Sequence, residues 1–500
     1  MPTPPTPDQT PASTGIDGLD NILRGGLARR RLFLLEGVPG SGKTTLALQF
    51  LRAAVVRGEP VLYVTLSETE EELRAVARSH GWTLDGITIQ ELIPTEAALD
   101  PDEQYTMFHA SEVELSTTVK EVLTTVDRVN PACVVFDSLS ELRLLAGNAL
   151  RYRRHILALK QFFNSRQCTV LLLDFMTATE QDQQMQSIAH GVIRLEQLSH
   201  EYGSERRRLR VLKYRGVAFR GGYHDYVIRR GGLDVFPRLI ASEHRRSGRR
   251  LQHASGIPGL DAMLGGGIEE GTSTLIVGPA GTGKSTLAAQ FAVAAAARGQ
   301  RAALFVFDEI PDTLISRCMG LKIDLASFIE SGAITLQQVD PAELAPGEFT
   351  SAIRRAVVEH GASIVVIDSL NGYLNSMPEE RFVTIHLHEL LMYLGLVGVA
   401  TILIGAHQGM IGTQMQTPVD ASYFADAVIL LRYFEARGEI RQAIAIMKKR
   451  GGQHERTIRE FLIEDRGISV GEPLTDFRGI LTGVPVYDAA AADSKQGTLT

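Results

Sequence analysis

Cysteine is scarce in this chain: Cys133, Cys168 and Cys318 are the only three in 500 residues. Their spacing fits no metal-binding pattern and an odd number cannot pair completely, so the sequence predicts three buried free thiols in a reducing cytosol. Positive charge is not in excess either. Lys and Arg number 51 against 58 Asp and Glu, a balance of −7 that argues against nucleic acid or anionic lipid as the main partner. A long apolar run is also missing. The uncharged stretch from Leu390 to Ala406 is shorter than the ~20 residues a membrane-spanning helix needs. It contains Gly395 and Gly398 and predicts a helix end, a turn and a buried strand. The opening MPTPPTPDQTPAST lacks a basic region followed by an apolar core and reads as a disordered leader rather than a signal peptide. What remains, 44% hydrophobic and 22% charged residues, is ordinary globular composition, and the length implies more than one domain.

The chain is one domain written twice. GIDGLDNILRGGL from Gly15 recurs as GIPGLDAMLGGGI from Gly256, and EGVPGSGKTTLALQF from Glu36 recurs as VGPAGTGKSTLAAQF from Val277; both pairs are 241 residues apart. VVFDSL from Val134 returns as VVIDSL from Val365, and VLKYRG from Val211 as IMKKRG from Ile446. A period near 240 residues is a whole domain, so the pattern is a tandem duplication. The expected boundaries are a disordered leader over 1–12, a first domain over 13–240 and a polar, Arg-rich linker over 241–252. A second domain over 253–485 and a disordered tail over 486–500 follow. Within each copy, short β-branched runs such as LFLLEG and SIVVIDS alternate with helix-length segments such as TTLALQFLRAAVVRG. This is the βαβ signature of an α/β fold, two tandem domains that are each a largely parallel sheet flanked by helices.

GVPGSGKT from Gly37 and GPAGTGKS from Gly278 both satisfy G-x-x-x-x-G-K-[ST] between a strand and a helix. Glycine lets backbone N–H groups turn inward around phosphates, and the helix N-terminus adds its positive dipole end. The nucleotide-binding residues are Gly37, Gly40, Ser41, Gly42, Lys43, Thr44 and Thr45 in the first copy. In the second they are Gly278, Gly281, Thr282, Gly283, Lys284, Ser285 and Thr286. Both lysines would reach the β- and γ-phosphates of ATP, and Thr44 and Ser285 would offer hydroxyls to Mg2+.

Asp137 and Asp368 end the apolar strands VVFD and VVID, where an acid can hold the magnesium. The bland reading of each is a helix-capping Asp. Glu68 and Glu309 each lie 25 residues after the P-loop lysine and are candidates to activate the attacking water; Glu70, Glu71 and Glu72 read as a solvated helix start. The copies differ one residue earlier, where Ser67 faces Asp308, so only the second copy carries a carboxylate pair.

Together with ARSHGW from Ala77, these motifs make the chain resemble the KaiC family of double-domain RecA-like ATPases and autokinases, from about Ser13 to Pro485. The resemblance implies a homohexameric double ring with ATP between subunits. It implies that Lys213, Arg215, Lys448 and Arg450 reach a neighbour's γ-phosphate, and it puts Ser79 near the adenine. It also implies autophosphorylation in the second domain. Ser422 and Tyr423 stand where the family commonly has a Ser-Thr pair, Thr417 matches a family threonine, and Asp308 takes the place of the base, one methylene shorter than the usual Glu. Gln442 and Phe219 stand where the family often presents Arg and His. A regulatory protein partner is implied without its identity.

The leading functional reading is therefore an ATP-dependent signalling enzyme: the first domain hydrolyses ATP and maintains the ring, and the second phosphorylates itself on Ser422. Two alternatives stand beside it. One is a nucleotide-gated scaffold that hardly turns ATP over. The other is a RecA-like DNA motor, supported by the arginine clusters ERRRLR from Glu205 and HRRSGRR from His244 and opposed by the net charge and by the lack of aromatics interleaved with those arginines.

Overall fold

The computed structural model describes residues 10–92, 110–176, 185–199, 203–244, 251–375, 380–406, 423–482 and 486–487. They form two compact units that divide between Arg238 and Leu239. The first unit is built on β1 (Leu32–Gly37), β2 (Val61–Thr65), β3 (Ile87–Glu91), β4 (Cys133–Asp137), β5 (Thr169–Phe175), β6 (Gly191–Leu198), β7 (Arg206–Tyr214), β8 (His224–Arg229) and β9 (Gly232–Phe236). They make one sheet in the order β3-β2-β4-β5-β1-β6-β7-β8-β9, parallel from β3 to β6 and antiparallel from β6 to β9. The second unit repeats this order strand for strand. Its P-loop strand, Ser273–Gly278, sits between Ala400–Ala406 and Ala427–Ala436 as β1 sits between β5 and β6.

The continuous apolar runs follow from burial on both faces. Phe33 and Leu35 point into a core shared with Leu46, Phe50 and Leu51 of the P-loop helix Lys43–Val56. Leu32 and Leu34 point to the other face, against Tyr152, Ile156, Leu159 and Phe163 of the helix Ala149–Ser165, whose spacing of four, three and four residues presents one stripe. The two sheet faces of the second unit are covered in the same way. Cys133, Cys168 and Cys318 are free and buried, as expected. The stretch from Leu390 resolves into the end of the helix Glu380–Val397, a turn at Gly398 and the buried strand Ala400–Ala406. Among the described residues no helix is long and apolar enough to cross a membrane.

Three expected boundaries need correction. Ala12, assigned to the leader, is fully buried and pairs with Leu27 through two backbone hydrogen bonds. Both ends of the linker assigned to 241–252 carry described structure. Ala241–Glu243 forms a 3-10 turn that packs toward the helix Glu380–Val397, and Gln252–His253 pairs with Ile268–Glu269. Val486–Tyr487, assigned to the tail, pairs with Phe477–Arg478 and sets Tyr487 edge-on against Phe477. Contacts with other segments, backbone pairing as much as packing, set these limits, and local composition does not reveal them.

The duplicated GxxGLD turns allow a stability test. A Cβ on Gly18 would lie 1.8 Å from the Val235 carbonyl oxygen, whereas on the matching Gly259 it would lie 2.9 Å from Val470 Cβ. The Val470 carbonyl oxygen is also close, at 3.0 Å, but relief there needs a far smaller shift than the overlap at Val235, so Gly18→Ala is expected to destabilise by ~3 kcal/mol or more and Gly259→Ala by ~1 kcal/mol. Denaturant midpoints of the two variants check this.

Candidate nucleotide sites

The P-loop of each unit leaves the C-terminal end of its central strand, where a doubly wound sheet gathers ligand-binding loops. Gly42 and Gly283 adopt φ of +88° and +85° at the helix start. A Cβ there would meet Ile228 Cδ1 at 2.6 Å and Ile463 Cδ1 at 2.3 Å, so the glycine serves both the turn and the packing beneath it. Lys43 Nζ donates to the Gly37 and Val38 carbonyls at 2.9 and 3.0 Å and lies 4.4 Å from the centre of the Phe175 ring; Lys284 Nζ donates to Pro279 O at 2.7 Å. Burial holds both ammonium groups below the usual lysine range. Gly281, Gly283, Lys284, Ser285 and Thr286 line a cavity of about 420 Å3 in the second unit. Gly320, which matches Ser79 at the 241-residue offset, lines it too. Ser79 itself donates to Val76 O at 2.7 Å.

Asp137 ends β4 beside Thr65 of β2 in register, and its carboxylate accepts from Tyr63 Oη at 2.6 Å and Thr44 Oγ1 at 3.4 Å. Burial raises its pKa, against those two hydroxyls and Lys43. It therefore does not cap the helix Leu139–Ala146, whose N-cap Ser138 makes no side-chain cap either. Asp368 is likewise hydrogen-bonded by Ser285, and burial pushes it up to about 6, with Glu309 and Asp308 adding to the rise. Each site thus brings together one hydroxyl and one carboxylate, buried for Asp137 and partly buried for Asp368, a hard-oxygen pair suited to Mg2+ that phosphates and water would complete.

The water-activating candidates differ between the units. Glu68 Oε2 is buried with no hydrogen-bond partner among the described residues. Its carboxyl is pushed up to about 7, chiefly by desolvation, then by the charges of Asp137 and Glu72 and against Lys43. Thr65 Oγ1 fixes the turn by accepting from Glu68 N at 3.0 Å and donating to Glu68 O at 2.7 Å. The neighbouring glutamates do serve the helix start: Glu72 closes a capping box with Thr69, and Glu70 pairs with Arg74. In the second unit Glu309 is gripped by Arg317 and Asp308 accepts from Ser369 Oγ. Position 67 is serine, and the matching Ser138 Oγ has no partner among the described residues.

Lys213 and Arg215 do not join the P-loop of their own unit. Lys213 pairs in register with Val192, and Gly191 with Phe33, at the start of β1, whereas Gly37 ends it. Four residues at ~3.3 Å each separate the two ends. Lys448 pairs with Val428 at the matching end of the second sheet. Lys213 Nζ donates to the Gln186, Ser187 and Ala189 carbonyls, and Arg215 to Ser187 O. Arg30, Arg31, Lys160 and His190 line a cavity of about 180 Å3 with Arg215. In the second unit Arg450 is instead held by Asp426 and the Tyr423 carbonyl. Tyr423 is 71% exposed; Ser422 and Thr417 lie outside the described residues.

The cluster ERRRLR lies on β7. Arg207 pairs with Glu205, Arg208 and Arg210 pair with Glu196, and both of the latter stack on Tyr223. An aromatic is therefore present after all, supplied from outside the run, and it holds the arginines onto the protein's own surface. HRRSGRR lies mostly outside the described residues. Sequence reasoning missed Tyr63 and Arg317. Comparison of the repeats at the 241-residue offset would have marked both, because Leu304 and Val76 stand opposite them.

The family model of the KaiC ATPase matches residues 12–240 and 253–475. The circadian clock oscillator protein KaiC of Thermostichus vulcanus is 28% identical over 487 residues, covering 94% of this chain and 91% of that protein. The circadian clock protein KaiC3 of Synechocystis sp. is 27% identical over 489 residues, covering 95% and 94%. The KaiC of Picosynechococcus sp. is 28% identical over 497 residues, covering 96% and 93%. With both repeats matched and the P-loop, Asp and Glu positions in register, the chain belongs to the KaiC family and carries two of its ATPase domains.

Proposed function

We propose that the first unit is the principal ATP hydrolase of this protein, that the second is an autokinase acting on Ser422, and that the chain assembles as a homohexamer in the cytoplasm. The observation that carries the first part is Glu68, a carboxylate with a buried unpartnered oxygen and a pKa of about 7, in electrostatic reach of Asp137 and Lys43. A general base works best with its pKa near the working pH. Thr44 and Asp137, and Ser285 and Asp368, would hold Mg2+, which neutralises phosphate charge when bound. Lys43 and the P-loop amides orient the phosphates of ATP, and Glu68 takes the proton of the attacking water. Ring assembly is supported by Lys213 and Arg215, which cannot serve a γ-phosphate on their own P-loop but suit one presented by a neighbour.

For the second unit, Asp308 would take the proton of the acceptor hydroxyl, and the segment before Ala427 supplies Ser422, with Thr417 and Tyr423 as further hydroxyls. Phosphate there would add charge and three acceptor oxygens and so alter the surface offered to a regulatory protein. A specific observation favours a second reading for this unit, a nucleotide-gated scaffold: both oxygens of Glu309 are taken by Arg317.

Peptide mapping by mass after incubation with Mg-ATP, beside a Lys284→Ala control, separates the readings. The autokinase yields one phosphate on Ser422 that the control lacks. ADP release with no phosphate on the chain leaves an ATPase with a gating second unit.

A further inference from the structure

Arg317 lies on the helix Pro311–Gly320, and its guanidinium closes a fork on Glu309, with Nη1 to Oε1 at 2.7 Å and Nη2 to Oε2 at 2.8 Å. It also lines the cavity built by the second P-loop. Two parallel charge-assisted bonds from one planar donor fix a carboxylate's orientation and occupy both of its oxygens. Hydrolysis needs one of those oxygens. The water oxygen bonds to the γ-phosphorus, the bond from that phosphorus to the β–γ bridging oxygen breaks with its electron pair leaving on ADP, and the water proton goes to the base. The first unit has Val76 at the matching position, and Glu68 Oε2 has no partner among the described residues.

We propose that Arg317 is a positioning residue that restrains Glu309 and so suppresses attack by water at the second site, sparing ATP for transfer to a protein hydroxyl. The proposal rests on the reading of that site as an ATP site with Glu309 as its hydrolytic base. Asp308 is engaged separately, by Ser369, so the restraint acts on one member of the carboxylate pair. The two acids thereby acquire different acceptors, water for Glu309 and a protein hydroxyl for Asp308.

The test uses the full chain carrying Glu68→Gln, so that ADP release reports the second site. Arg317→Val is expected to raise kcat about tenfold with little change in KM, because the step affected is proton acceptance and not binding. Arg317→Lys, a point charge without the fork, is expected to give a smaller gain and carries the test if the valine variant fails to fold. Adding Glu309→Gln to either variant returns kcat to its starting level. No gain, a gain that survives Glu309→Gln, or loss of binding of a fluorescent ATP analogue in Arg317→Val overturns the proposal. The underlying reading fails separately, and visibly, if Lys284→Ala in the same parent leaves binding of that analogue unchanged.

Discussion

ATP turnover by the full chain is expected to climb from about pH 6 to about pH 8 with half of its rise near pH 7, and Glu68→Gln is expected to remove both the rise and about a hundred- to thousandfold of the rate. The sign follows from the proton inventory. Below about 7 the Glu68 carboxyl is protonated and cannot accept from water; above it the carboxylate is free to do so. The same displacement affects stability. A folded-state value raised above the ordinary 4.5 means the native protein holds that proton more tightly than the unfolded chain. The stabilisation it supplies is present below 4.5 and lost as pH rises through 7. Glu68→Gln should therefore raise the melting temperature at pH 8 and leave it unchanged at pH 4. A pH–rate profile and thermal melts of wild type and variant check both effects, and a residue with only a structural role would lower stability at both pH values.

Mixing two inactive variants is expected to restore activity. Arg215→Ala removes a cation that sits a strand's length from its own P-loop, and Glu68→Gln removes the base beside that P-loop. If the guanidinium acts on a neighbour's phosphate, each variant alone should turn ATP over about a hundredfold more slowly than wild type. Chains exchanged freely into mixed rings would have both groups intact at about a quarter of first-unit sites, since the base and the arginine at one interface come from different subunits. Recovery toward that fraction of wild-type ADP release is the expected result. Additive residual activity, with no recovery, would assign Arg215 to its own chain.

Much of this was legible in the sequence because the duplication acts as a built-in comparison. The sheet follows from β-branched runs buried on both faces. The P-loops follow from glycines whose positive φ and close packing no other residue matches. The positions of Asp137, Asp368, Glu68 and Glu309 follow from their matched places beside the repeated motifs, 241 residues apart for the glutamates and 231 for the aspartates. Their state could not be read this way. Whether Glu68 and Glu309 are equivalent depends on a side chain eight residues on, in the next helix, and whether Asp137 is hydrogen-bonded depends on Tyr63, 74 residues earlier on the neighbouring strand. Such partners are set by tertiary approach, to which periodicity and motif spacing are blind. The termini escaped for a related reason. Ala12 and Tyr487 sit in polar, Pro- or Ala-rich surroundings and are ordered by what they touch.

The proposed division of labour is that two copies of one fold, alike in their phosphate loops, carry different chemistry at the water-activating position. Its most direct test is ADP release by the full chain, measured at pH 8 for wild type, Glu68→Gln and Glu309→Gln under identical Mg-ATP. The account predicts that Glu68→Gln abolishes most of the release while Glu309→Gln leaves it nearly intact. The reverse ranking, or equal losses from the two substitutions, would contradict it.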